Sequence, residues 1–172
     1  MMDATVYLAL RVLHILVAAL WIGAAAVLAW VVMPALRDAE PAGGRMTSSL
    51  HRRKLHAFMA ASSVLTVLSG LWLYWVLTSG LSSGIVLSRA GLIFGVGGLC
   101  GLLALILGGS VIGPGFARAV ALTEQSAALP EAERAGHAQR IAALQQRVTL
   151  ATRIDLGLIV VALVLMASGH YA

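Results

Sequence analysis

Four long apolar runs, separated by short or basic polar segments, constrain this chain more than any other feature. The first extends from Val6 to Leu36, with Arg11 and His14 as its only charged or imidazole side chains. The second is Leu55 to Leu77, the third about Ile85 to Ile112, and the fourth Leu156 to Ala167. A bilayer core about 30 Å thick takes roughly 20 apolar residues as an α-helix. Backbone polar groups there must pair within the segment, so each run reads as a spanning helix. The expected fold is an all-α, polytopic four-helix membrane bundle forming one domain. Its spans are about 6–36, 55–77, 85–112 and 150–169, with polar loops at 37–54 and 116–149.

Composition supports the same class and excludes others. Hydrophobic residues make up 60% of the chain and charged ones 11%, against about 25% charged in an average soluble domain. That balance excludes a soluble enzyme, a disordered tail and a nucleic-acid-binding module. The net charge of +5 is explained by where the basic residues fall. Arg37, Arg45, Arg52, Arg53 and Lys54 occupy the first polar loop. Arg118, Arg134, Arg140, Arg147 and Arg153 lie in the connection between the third and fourth apolar runs. By the positive-inside rule both loops are expected in the cytoplasm of a bacterial inner membrane, with both termini periplasmic. The basic charge is then a topology signal and an anionic-lipid contact; no nucleic-acid partner is implied.

The polar stretch from Phe116 to Arg153 has helical composition, with Ile141, Leu144 and Val148 at apolar spacing. It is expected as a cytoplasmic surface helix or as an inward extension of the last span. Gly113-Pro114-Gly115 is expected to end the third span. That span is rich in glycine, and Gly91/Gly95, Gly97/Gly101 and Gly109/Gly113 have small-xxx-small spacing. Such spacing suits tight packing within the bundle, a homodimer or complex-subunit face, or room for a flat ring.

Ionisable groups in spans are costly, so the few present are candidates for function. Arg11, His14 and Trp21 share one face of the first span at 100° per residue, with Ala18 and Ala25 between and beyond them. An imidazole flanked by small residues suits a porphyrin plane. An arginine one turn away suits a haem propionate. His14 is equally read as hydrogen-bonded to a neighbouring helix. His170, at the end of the fourth span near the depth of His14, is a second axial candidate or an interfacial anchor. His56 opens the second span at the opposite face and is a further metal candidate. Arg89, at the start of the third span, is a second propionate candidate. His51 and His137 read as exposed polar-segment residues. Asp155 reads as a cap or first-turn acid of the fourth span, or as a buried proton-relay group. One cysteine, Cys100, excludes an internal disulfide, and no His-x-His or Met-x-Met cluster suggests copper.

The stretch from His14 through Trp21 to Gly23 resembles the first helix of the CopD-like and HemJ-like membrane families. Arg53-Lys54-Leu55 and Thr66 to Leu73 are similar to the two ends of the second HemJ-like helix, and Pro34 resembles the CopD-like pattern. The HemJ-like resemblance implies a haem b protein of the protoporphyrinogen oxidase type, linked to electron transfer or to quinone. The CopD-like resemblance implies copper transport or resistance. His14 and Trp21 match the family histidine and tryptophan. The third helix departs from the HemJ-like pattern: Val86-Leu87-Ser88-Arg89-Ala90 has an arginine in place of a lysine and lacks the histidine before it. A non-enzymatic accessory subunit, docking through the glycine-rich third span, is a further class.

Overall fold

The computed structural model describes residues 3–38, 55–127 and 130–171; within its helices, the side chains of 36–38, 56, 127, 132–135 and 170 are outside that description. Every regular element among the described residues is helical. In chain order these are α1 (Ala4–Val27), a π-helical turn Leu28–Val32, α2 (Met33–Asp38), α3 (Leu55–Leu77), the short α4 (Ser83–Val86), α5 (Arg89–Leu107), a second π-helical turn Gly108–Ile112, α6 (Gly113–Ala127), α7 (Glu131–Ser168) and a closing 3-10 turn Gly169–Tyr171. Four of the resulting continuous helices are long and apolar enough to cross a membrane: Ala4–Ala35, Ala57–Leu77, Arg89–Ser126 and Gly136–Ser168.

Consecutive spans are the main neighbours. The first packs on the second, the second on the third, and the third on the fourth, while a smaller contact from the first to the fourth closes the ring. Buried residues are few, and large apolar side chains such as Leu16, Trp30, Leu68 and Val164 face outward. That distribution suits a bundle whose solvent is lipid, where outward apolar groups carry no penalty.

The interior is comparatively polar. Ser62, Ser63, Thr66, Ser69, Thr78 and Asp155 are buried. The α3 hydroxyls are satisfied within their own helix: Ser62 donates to the Phe58 carbonyl, Ser63 to Ala60, Thr66 to Ser62 and Ser69 to Leu65. Such back-bonding lets a small polar side chain sit at a helix interface without an orphan donor. Between the two halves of the bundle, Trp21, Ala104 and Ile159 form an apolar plug, with Ile22, Ala25, Met59 and Leu158 packed against it.

Glycines allow rings to lie on neighbouring backbones. A Cβ built on Gly95 would stand 2.9 Å from the Tyr74 hydroxyl oxygen, and one on Gly169 would meet the Phe94 ring at 2.5 Å. Gly97 seats Met166 and Leu165 of the fourth span, with the Met166 methyl 3.2 Å from where its Cβ would be. The tight-packing use of the glycine-rich span therefore applies to Gly95 and Gly97. Gly98, Gly101, Gly108 and Gly109 have open space at the Cβ position.

Three expectations are corrected. Gly113-Pro114-Gly115 does not end the third helix, which continues to Ala127 after one π turn. The stretch from Phe116 to Arg153 is not one surface helix: residues 116–127 belong to the third helix, and from Glu131 the alternative of an inward extension holds, as part of α7, which runs unbroken to Ser168. Its 38 residues extend about 57 Å, well beyond a bilayer core of about 30 Å. The excess pairs with α6 as an antiparallel helical extension, in which Val120 and Val148 are buried and Gly115 lies against Val148. His137, expected to be exposed, is half-buried, and its Nδ1 is enclosed without a partner.

The two π turns share one cause. Pro34 follows Leu28–Val32 and Pro114 follows Gly108–Ile112 at the same offset. In an α turn each proline ring would meet the carbonyl four residues back and offer it no N–H. Widening the preceding turn relieves that clash. The Met33 N–H then bonds the Leu28 carbonyl, and the Gly113 N–H bonds the Gly108 carbonyl. A chain that would otherwise kink or stop passes through both prolines.

Candidate functional site

The first span turns Tyr7, Arg11, His14, Ala18, Trp21 and Ala25 toward the bundle: all are half-buried except Trp21, which is 6% exposed. The shared face expected for Arg11, His14 and Trp21 is thus the packed face. Arg11 is half-buried and engaged in a side-chain interaction.

His14 is fixed against the second span. Its Nδ1 lies 2.9 Å from the Thr66 carbonyl oxygen and 3.0 Å from Ser69 Oγ. A carbonyl oxygen only accepts, so Nδ1 carries the proton, and in the neutral ring Nε2 carries the lone pair. Ser69 Oγ donates its own hydrogen to the Leu65 carbonyl at 2.6 Å and is left as an acceptor toward His14. Gly70 completes the seat: a Cβ there would stand 2.9 Å from His14 Cε1. The histidine is therefore both hydrogen-bonded to a neighbouring helix and held in a tautomer suited to ligation. These two readings are compatible, because ligating histidines commonly donate their other N–H to a carbonyl.

The other sequence candidates are not gathered around it. Arg89 is exposed at the start of α5, where Ser88 caps the helix by accepting from Gly91 N–H. The third span is not one of the main neighbours of the first. The side chains of His56 and His170 lie outside the described residues, as does all of His51. Among the described residues no group of three His, Cys, Asp or Glu side chains could hold a metal ion. Cys100 is a free, half-buried thiol.

A second feature lies beyond Trp21, away from His14. A cavity of about 310 Å³ opens in the half of the bundle holding both π turns. Leu28 and Val32 line it from the first turn, and Gly108, Gly109 and Ile112 from the second. Trp21, Met33, Met59, Phe116 and Asp155 complete much of the wall. π turns recur at functional sites because they displace backbone and side chains from the regular helical surface. Here they stand on two spans at one cavity.

Of the two sequence readings of Asp155, a helix cap or first-turn acid and a buried group, the structure removes the first. Asp155 lies far inside α7 and caps no helix. It is 8% exposed, and its Oδ1 has no hydrogen-bond partner. The cap reading depended on a helix starting near Arg153, and the unbroken α7 removes that start. The available signal was the helical spacing of Ile141, Leu144 and Val148, which continues in phase into the apolar run. The Thr66 carbonyl and the Ser69 hydroxyl were also missed as partners of His14. Their spacing on one face of α3 was the signal for them.

No family model matches the chain, and the searches of curated proteins and of solved structures likewise returned no match.

Proposed function

We propose that this integral membrane protein binds haem b and serves electron transfer or quinone-linked oxidation, with His14 as a residue that would hold the iron. The observation that carries the reading is the commitment of His14 Nδ1 to the Thr66 carbonyl. It leaves Nε2 as the nitrogen with a free lone pair and fixes the ring before any metal arrives. Pre-orientation of this kind raises ligand basicity and lowers the cost of ordering on binding.

A bound haem b supplies one-electron transfer at its iron. The chain's own residues supply the rest. Thr66 and Ser69 hold the imidazole plane, and Gly70 gives it room. Arg11, one turn before His14, is the propionate partner in this reading. His170, near the depth of His14, would be the second ligand; His56, at the opposite face, would not share that iron. The basic loops lie on the cytoplasmic side and the termini on the opposite side, following the distribution of Arg and Lys.

The test is an optical spectrum of protein purified after expression with added haem. A Soret band and a reduced α-band are expected, and His14→Ala should remove both while the protein still purifies as a folded helical species. Absence of both bands from the wild-type protein overturns the reading. Stoichiometric copper without haem would replace it with the CopD-like class.

A further inference from the structure

The cavity beyond Trp21 does not include His14, so the following inference is independent of haem binding. We propose that this cavity is a binding site for a small lipophilic organic cation, a protonated or quaternary amine on an apolar body, with Asp155 as its counter-charge.

The polar groups on the wall define the chemistry. Asp155 lines the cavity and is more than nine-tenths buried, with Oδ1 unpartnered. Ser63 and Thr152 also line it, but their hydroxyl hydrogens are already committed, to the Ala60 carbonyl at 3.0 Å and the Val148 carbonyl at 2.8 Å. Both therefore present only lone pairs to the interior. Among the described residues, no lysine, arginine or histidine lines the cavity. Among the described residues the wall is rich in acceptors and carries one acidic group, with no lining cation to neutralise it.

The apolar part of the wall suits the same ligand class. Trp21 and Phe116 contribute aromatic surface, which attracts cations through the negative face of the ring. Met33 and Met59 add polarizable thioethers that adapt to irregular ligands. Gly108 and Gly109 have open space where a Cβ would be, so the π turn widens the chamber instead of filling it. A volume of about 310 Å³ lies at the small end of ligand pockets and matches a single substituted ring.

A buried carboxylate in apolar surroundings is unfavourable when ionised and alone. A cation that enters with its own apolar body supplies the missing charge and leaves the wall contacts intact. A neutral molecule of the same shape supplies only the wall contacts. Charge is therefore the discriminating property of the ligand.

The experiment is calorimetric titration of the full chain in zwitterionic nanodiscs, with empty nanodiscs as the blank. The probes are benzyltrimethylammonium and its neutral isostere neopentylbenzene. Saturable binding of the cation is expected, at least tenfold tighter than that of the isostere. Asp155→Asn should remove that preference while leaving neopentylbenzene binding within twofold. Retained isostere binding shows that the variant keeps its cavity. If Asp155→Asn instead fails to fold, the wild-type ratio of the two probes still decides the matter. Equal affinity for both probes, no saturable cation binding, or an undiminished preference in a folded Asp155→Asn protein each overturns the proposal. The haem spectrum of the same preparations is a separate readout and does not bear on it.

Discussion

His14 Nδ1 lies 2.9 Å from the carbonyl oxygen of Thr66, so one imidazole links the first span to the second and has its tautomer set by the backbone. The seat is completed by Gly70, whose missing side chain leaves room for the ring edge. Gly70→Ala should therefore destabilise the bundle, by about 1–3 kcal/mol on the scale of overpacked interiors. In the His14→Ala background the same change should cost much less, because the clashing ring is gone. Unfolding in mixed micelles of the two single variants and the double variant measures this coupling. Additive effects would mean that Gly70 and His14 do not share one seat.

Gly97 and Gly101 have the same spacing motif but different surroundings. Gly97 seats Met166 and Leu165, whereas a Cβ on Gly101 meets nothing within 4 Å. Gly101→Ala should leave stability unchanged or raise it by up to about 1 kcal/mol through helix propensity. Gly97→Val should lower it by about 1–3 kcal/mol through the displaced fourth span. The comparison is made by unfolding in mixed micelles, and equal effects at the two positions would contradict the packing described.

Pro34 and Pro114 impose the two π turns. Replacing Pro114 by Ala restores an N–H and removes the ring that the Ser110 carbonyl must avoid. The third helix should then tighten to α geometry through Gly108–Ile112, with slower backbone hydrogen exchange in that segment. Mass-spectrometric exchange on the intact protein detects the change. Unaltered exchange there would mean that the widened turn has another cause.

Asp155 is buried with an unpartnered oxygen, which is a cost to the fold. Asp155→Leu should raise stability, by about 1–3 kcal/mol, since an unsatisfied polar group is replaced by an apolar one of similar reach. Unfolding in mixed micelles checks the sign. A destabilised Asp155→Leu protein would show that the carboxylate supports the fold and is not held at its expense.

The sequence by itself determined the membrane class and the four apolar helices, because the span-length requirement is local: the first three runs meet it outright, and the fourth meets it once residues before Asp155 are included. It also determined the inward face of the first span, since a 100° helical repeat places Arg11, His14 and Trp21 together whatever surrounds them. It left open whether the polar stretch after Phe116 was a surface helix or part of the fourth span, and it placed Asp155 at a helix start on the first of those assumptions. Helix continuity was decided by the packing of α6 on α7, which keeps Val120 and Val148 buried and carries the helix through. The prolines were legible as residues but not as π turns, because a run can stop, kink or widen at proline and only its neighbours select among these. The partners of His14 and the cavity around Asp155 depend on which faces of different spans meet. That relation arises from contacts far apart in the chain, and it is settled only when the helices pack.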